Sequence, residues 1–167
     1  LVLSTLHTND APSAVTRMLD LGVPAYLLSA TLLGIMAQRL VRILCPHCKT
    51  ARPPTPEEEA IWDHLVAPWK ATRPSHFHHA VGCIECRMTG YMGRIGLYEI
   101  LLMSPEVKKA VSGGEDLARV RELAIREGMK PLRLSGALKV ASGITTLAEV
   151  VKVAPPAEHE AEAKPAP

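Results

Sequence analysis

The chain has 167 residues, the length of one domain or of two small ones. Apolar residues make up 47% and charged residues 22%, so the sequence can bury a core and is not disordered throughout. Only 4% of the residues are aromatic and the net charge is +2. These values argue against an aromatic stacking platform or a strongly basic surface for nucleic acid, and we expect no nucleic-acid partner.

The first predicted elements are a strand and two helices. Residues 1–6 (LVLSTL) resemble a strand already under way; because no Met or charged leader precedes them, we expect the chain to begin inside a domain. Asp10 or Asn9 can cap a helix over 11–21. Pro24 opens a second helix, which we expect to reach about residue 41. Its apolar face, expected to be buried, comprises Leu27, Leu28, Leu32 and Ile35.

Residues 21–38 form an uncharged run of 18 residues, close to the length that a bilayer-spanning helix needs. Glycine, proline, serine and threonine dilute its hydrophobicity. We therefore expect a helix buried in a protein core and no transmembrane span.

The rest of the chain alternates between irregular and helical segments. Thr55 followed by Glu58 predicts a capping box that opens a helix over 56–66. A segment rich in proline and histidine follows without periodicity, and residues 94–102 have the composition of a strand. Short helices are expected to begin near Pro105, Asp116, Leu132 and, through a second capping-box pattern, Thr146. We expect the tail, 154–167, to be disordered.

The strongest chemical signal is a pair of Cys-x-x-Cys motifs, formed by Cys45 with Cys48 and by Cys83 with Cys86. Two such turns can surround one ion with four thiolates, and they favour a structural zinc site over a catalytic one, which keeps a coordination position open. Two disulfides, a redox pair or inert thiols are the alternatives. We interpret the nearby histidines, His47, His76, His78 and His79, as loop residues or neighbours of the site rather than as ligands.

Three blocks carry a family resemblance when they occur in this order: residues 3–11 (LSTLHTNDA), 38–48 (QRLVRILCPHC) and 82–101 (GCIECRMTGYMGRIGLYEIL). Together they resemble the C-terminal part of the assembly ATPases of type II secretion and type IV pilus systems. Residues 127–132 and 141–150 resemble the end of that family. Pilus retraction ATPases share the first block but generally lack the four cysteines, so the resemblance favours the assembly and secretion branch.

The resemblance implies an α/β fold in three parts with a tail. Residues 1–44 would form the edge of a RecA-like ATPase core, 45–102 a four-cysteine zinc subdomain, 103–153 a helical subdomain and 154–167 the tail. The sequence contains no G-x-x-x-x-G-K-[ST] phosphate loop. We therefore expect this chain alone to be inactive and the intact protein to hydrolyse ATP with Mg²⁺.

The resemblance also implies roles for individual residues. His7 would sense or orient the γ-phosphate. Thr8, Asn9 and Arg39 are secondary candidates for residues near the nucleotide. Among the metals that thiolates prefer, zinc or an iron–sulfur cluster, the resemblance selects zinc. The implied partners are further copies of the chain, forming a hexamer, and an inner-membrane platform protein. The implied location is cytoplasmic, at the periphery of the inner membrane.

Several features leave alternatives open. Arg39 and Arg42 could contact phosphate or a neighbouring subunit, but we favour pairing of Arg42 with an acidic residue or with the thiolate charge. Arg94 and Glu99 match family positions without an evident chemistry. The rival interpretation of the whole chain is a zinc-ribbon adaptor or nucleic-acid-binding module, supported by the two cysteine motifs and a mildly basic charge.

Overall fold

The computed structural model describes residues 1–69 and 71–154. Over these residues the chain is a mixed α/β protein, as expected, with helices and strands in the following order: α1 Ala11–Asp20, α2 Ala25–Thr31, β1 Gly34–Leu44, β2 Thr50–Arg52, α3 Pro56–Val66, β3 Phe77–His79, β4 Tyr91–Leu102, α4 Pro105–Ser112, α5 Leu117–Arg126, α6 Leu132–Ala141 and α7 Leu147–Val153. Most of the predicted tail lies outside the described residues.

The residues group into two compact units that share the long strands β1 and β4. The first unit comprises Leu1–Gln38 and Tyr98–Leu132, and the second comprises Arg39–Leu97 and the chain from Arg133 onward. The segment boundaries predicted at 44/45 and 102/103 are defined by sequence motifs and composition. The two units are defined by which residues pack together, so they do not test those boundaries. Those boundaries remain a prediction.

Strands β1 and β4 pair with each other, and β2 pairs with β3 in a separate antiparallel ribbon. In the first unit, the N–H of Met103 donates to the carbonyl of Leu33 at 3.1 Å. In the second unit, the N–H of Cys45 donates to the carbonyl of Gly90 at 2.9 Å. The end of each strand therefore lies beside the start of the other, so the pair is antiparallel.

Helices of the first unit enclose a small aliphatic core around Leu101, Val107 and Val120. Within this core, the buried carboxylate of Glu99 accepts hydrogen bonds from the N–H groups of Ala11 (2.8 Å) and Leu132 (3.1 Å). These N–H groups belong to the first residues of α1 and α6, whose early amides have no intrahelical acceptor. Glu99 thus satisfies two helix starts at once, although burial raises its pKa.

The second unit has its own core, in which Trp62 of α3 packs against Phe77 of β3 with ring centroids 5.7 Å apart. Leu97, Val140 and Val150 are almost completely buried in the same unit. Helix α6 approaches α7 closely at Gly136, where a Cβ atom would lie 2.3 Å from Val150 Cγ1. The absence of a side chain at this position therefore allows the two helices to pack.

The predicted strand over residues 1–6 is wrong, because this segment belongs to no helix or strand and Leu1–Leu3 are almost fully exposed. A strand requires hydrogen bonds to a neighbour, and no described strand pairs with this segment. The helix that follows is confirmed. It begins at Ala11, and the Asp10 carboxylate caps it by accepting from the Ser13 N–H at 2.8 Å.

The second predicted helix is also wrong beyond residue 31. Helix α2 ends at Thr31 and strand β1 begins at Gly34, where the sequence pattern predicted continued helix. Pairing with β4 overrides the local pattern, which cannot reveal partners that are 45 to 70 residues away. Of the four leucine and isoleucine positions expected to be buried, only Leu28 is; Leu27 is 42% exposed, and Leu32 and Ile35 are partly exposed. No described helix is both long enough and apolar enough to cross a bilayer.

Candidate metal centre

The four cysteines lie in the second unit, in two turns that the ends of β1 and the start of β4 bring together. Cys45 directly follows β1, and Cys86 is four residues before the Gly90 that leads into β4. The Sγ atoms are 3.8 Å apart for the pairs Cys45–Cys83, Cys48–Cys86 and Cys83–Cys86. All four Sγ atoms lie within 4.8 Å of one another.

These distances fit a metal site better than they fit disulfides. A disulfide requires sulfur atoms about 2.05 Å apart, and all four cysteines are free. Four sulfurs about 2.3 Å from a central zinc ion lie about 3.8 Å apart in a regular tetrahedron. The donor set and spacing therefore fit a closed tetrathiolate centre, in which Cys45, Cys48, Cys83 and Cys86 would hold the ion.

Backbone amides point at the sulfurs, as expected of a site that stabilises thiolates. The N–H of Gly82 donates to Cys48 Sγ at 3.3 Å, and those of Cys83 and Gly90 donate to Cys86 Sγ at 3.2 and 3.1 Å. Such bonds favour the charged form of a thiol. They offset part of the repulsion between the thiolates that a metal ion would gather.

The balance between burial and hydrogen bonding differs for two of the thiols. Burial raises the pKa of Cys48 to about 11, since the Gly82 amide compensates for only part of it. Burial also raises the pKa of Cys86, but the amides of Cys83 and Gly90 outweigh this effect and lower it to about 6. The amide hydrogen bonds therefore favour the thiolate form of Cys86 more than that of Cys48.

The second cysteine turn requires an unusual backbone conformation. Arg87 and Met88 both have positive φ angles, 52° and 61°, so the chain turns sharply after Cys86. This turn lets the N–H of Met88 donate to the carbonyl of Cys83 at 2.8 Å. Gly82 and Gly90 also have positive φ, and a Cβ atom at Gly90 would lie 2.6 Å from Ala80 Cβ. Non-glycine residues with positive φ are strained, and such strain is found mainly at functional sites.

None of the four histidines near the cysteines in the sequence belongs to the described cysteine group. Among the described residues, the four cysteines are the only group of three or more side chains placed to share a metal ion. His47 and His76 are exposed, whereas His78 and His79 lie on β3. Burial, together with the nearby Lys49 and Arg52, lowers the pKa of His78 and His79 respectively, which favours their neutral forms.

Arg42 is paired with an acidic side chain, the interpretation that the sequence favoured. Its guanidinium lies 2.6 Å from Glu149 Oε1 and 3.9 Å from the centre of the Tyr91 ring. Glu149 also accepts from the Arg42 backbone N–H at 3.1 Å. The sequence did not indicate Glu149 as its partner, because the two residues are 107 positions apart in the chain.

The remaining predicted site residues lie in the segment before α1 and on strand β1. His7 and Asn9 are exposed in the segment before α1, where Thr8 Oγ1 donates to the Asp10 carbonyl at 3.1 Å. Arg39 lies on β1 in the second unit. No ligand contact identifies a role for these four residues, so their assignment to a nucleotide site remains a prediction.

The fold and site define a small mixed α/β chain with a four-cysteine cluster, a candidate metal site, beside the end of β1 and the start of β4. A family model described as "Type II/IV secretion system protein" matches residues 1–152. The chain belongs to this family.

Similar proteins carry names from both kinds of system. The chain is 48% identical over 155 residues to "Type IV pilus assembly ATPase TfpB" of Acinetobacter baylyi, covering 93% of this chain and 26% of that protein. It is 42% identical over 153 residues to "Type II secretion system protein HxcR" of Pseudomonas aeruginosa, covering 92% and 28%. It is 42% identical over 155 residues to "Putative type II secretion system protein E" of Escherichia coli, covering 92% and 30%. The chain thus spans less than a third of the length of these relatives.

Proposed function

We propose that this chain is the C-terminal part of an ATP-hydrolysing motor that powers type II protein secretion or type IV pilus assembly. The observation that carries the proposal is the family match over residues 1–152, with relatives at 42–48% identity over more than nine-tenths of the chain. Relatives named for secretion and relatives named for pilus assembly have similar sequence identity to this chain. The proposal therefore covers both systems.

In this proposal, residues 1–44 contribute the edge of a RecA-like core, 45–102 form the metal subdomain and 103–153 form the helical end. The phosphate loop and the residues that hold Mg²⁺ would come from a longer chain, since this sequence contains no phosphate loop. The chain alone is then inactive.

His7 is the residue that we assign to the nucleotide. It is exposed and lies three residues before the helix cap Asp10, so its imidazole can reach a ligand without breaking a described contact. An imidazole can donate to a phosphate oxygen and respond to the change of charge when the γ-phosphate leaves. Thr8, Asn9 and Arg39 would assist nearby.

The cysteine centre would hold one zinc ion through Cys45, Cys48, Cys83 and Cys86. Bound zinc supplies structural cross-linking, because four protein ligands leave no coordination position for a substrate. The amides of Gly82, Cys83 and Gly90 orient the sulfurs and stabilise their charge. In the intact motor we expect a hexamer at the cytoplasmic face of the inner membrane, in contact with a membrane platform protein.

The test is ATP turnover by the full-length protein in the presence of Mg²⁺, with the 167-residue chain measured in parallel. We expect turnover by the full-length protein and none by the chain alone. A full-length protein that hydrolyses no ATP but binds DNA, with affinity that falls steeply as salt rises, would support the rival nucleic-acid-binding module instead.

A further inference from the structure

The loop that joins α6 to α7, residues 142–146, is bound on one side by residues that adjoin the first cysteine pair. The N–H of Leu44 donates to the carbonyl of Ile144 at 2.8 Å, and Leu44 directly precedes Cys45. The Lys49 ammonium donates to the carbonyl of Gly143 at 2.8 Å, and Lys49 directly follows Cys48. The Cys45–Cys48 turn therefore lies between two anchors of the same loop.

Residues near the second cysteine pair hold the other end of this loop. The Tyr91 hydroxyl lies 3.2 Å from Thr146 Oγ1, and Thr146 is the N-cap of α7. Tyr91 follows Gly90, whose N–H donates to Cys86 Sγ and whose carbonyl accepts from Cys45. Gly90 thus connects both cysteine turns to the residue that contacts the start of α7.

Hydrogen bonds, and no disulfide, hold the cysteine turns in place. In the first turn, the Cys48 N–H lies 3.4 Å from the Cys45 carbonyl, near the outer limit for a hydrogen bond, and the Lys49 N–H donates to the same carbonyl at 3.0 Å. The second turn contains two strained residues, Arg87 and Met88. A metal ion bonded to all four sulfurs would fix both turns, and hence the positions of Leu44, Lys49 and Tyr91.

We propose that the metal bound by the four cysteines positions the 142–146 loop and thereby docks helix α7, with Lys49 and Tyr91 as the positioning residues that transmit its effect. This inference rests on the zinc site of the proposed function. It extends that function, because it assigns the centre a target elsewhere in the chain, the loop between α6 and α7. Loss of the ion then loosens α7 as well as the cysteine turns.

The experiment is amide hydrogen exchange of the 167-residue chain with and without a strong chelator, with zinc content measured on the same samples. The reporters are the amides of Ile144 and Val150, which donate to Lys139 and Thr146. We expect chelation to accelerate their exchange at least tenfold. The amides of Trp62 to Val66 in α3 serve as the internal reference, and their exchange should change much less.

A variant of Lys49 tests the connection between the cysteine turns and the 142–146 loop without removing the metal. Lys49→Met should retain one zinc per chain and still accelerate exchange at Ile144, because the side-chain bond to Gly143 is lost. Lys130→Met, which changes an exposed lysine of the first unit, is the matched control and should exchange as the parent does.

Three results would overturn the inference. If the parent binds one zinc and chelation leaves the exchange rates of Ile144 and Val150 unchanged, the metal does not position the loop, although the zinc site itself exists. If α3 and α7 accelerate equally, the metal stabilises the whole unit rather than the loop. If the parent binds no metal, the zinc site of the proposed function fails as well.

Discussion

Gly143 packs directly against the imidazole of His78 and has a positive φ of 64°. A Cβ atom built on it would lie 2.7 Å from His78 Nδ1, closer than carbon and nitrogen atoms approach without a bond. Gly143→Ala should therefore lower the free energy of unfolding by about 2 kcal/mol or more, because the strain of a left-handed residue adds to a steric clash. Urea denaturation of both proteins measures the difference.

Gly114→Ala is the matched control for this substitution. Gly114 has a similar φ of 72°, but nothing lies within 4 Å of the position of its Cβ. Gly114→Ala should lower the free energy of unfolding by about 1 kcal/mol, the cost of the backbone strain alone. Equal losses at the two positions would mean that His78 gives way and that the contact with Gly143 has no effect on stability.

At the scale of elements, helix starts could be predicted from the sequence because they depend on neighbouring residues. The Thr55–Glu58 capping box forms as predicted, with the Thr55 hydroxyl and the Glu58 carboxylate each accepting from the other residue's backbone. The Thr146–Glu149 pattern forms only in part. Thr146 accepts from the Glu149 N–H at 3.3 Å, but the Glu149 carboxylate binds Arg42 instead.

Strands could be predicted less well, because their partners are distant in the chain. Strand β4 is confirmed and begins at Tyr91, earlier than expected. The apolar spacing after Thr31 resembled helix, and only pairing with β4 shows that residues 34–44 are extended. The ribbon of β2 and β3 gave no periodic signal, since each strand has three residues.

The contact between Arg42 and Glu149 joins strand β1 to helix α7 and makes a prediction about pH. The hydrogen bond from Arg42 lowers the pKa of Glu149. The interaction is therefore fully present above the pKa of an unfolded glutamate and is lost as the pH falls through the lower, folded value. We expect Glu149→Gln to reduce the free energy of unfolding at pH 7 by about 1 kcal/mol, since Arg42 is half exposed and solvent screens the pair.

Urea denaturation of parent and variant at each pH between 7 and about 3 measures this effect, and comparison at equal pH cancels the response of the cysteines. The difference should shrink as the solution becomes more acidic. Glu106→Gln, at an exposed position of α4, is the control. A difference for Glu149→Gln that stays constant with pH would show that the lost interaction does not depend on the charge of this carboxylate.

At the scale of the whole molecule, the four cysteines could be selected from the sequence because their spacing is itself the chemical signal. The structure brings their sulfurs together at distances that a tetrahedral ion requires. The amides that surround them, above all that of Gly90, could not be selected, because nearly every residue type has a backbone N–H and the sequence does not show which of them points at a sulfur. Roles for His7, Thr8, Asn9 and Arg39 rest on family resemblance, since a nucleotide site needs groups that this chain lacks.

The role proposed for His7 can be tested in the full-length protein. His7→Ala should lower ATP turnover at least about tenfold and change nucleotide affinity by less than about threefold, because a group that acts on the departing phosphate stabilises the transition state more than the bound nucleotide. Steady-state turnover and equilibrium binding give the two quantities. His76→Ala, at another exposed histidine, should match the parent. Normal turnover by His7→Ala would leave His7 as an ordinary loop residue.

The metal centre is the central claim, and elemental analysis combined with X-ray absorption on the purified chain tests it most directly. We expect one zinc per chain with four sulfur neighbours at about 2.3 Å. A Cys45→Ser, Cys83→Ser double variant should bind zinc far more weakly. A metal-free parent, or a zinc ion with nitrogen or oxygen neighbours in place of sulfur, would show that the four cysteines do not form a zinc site.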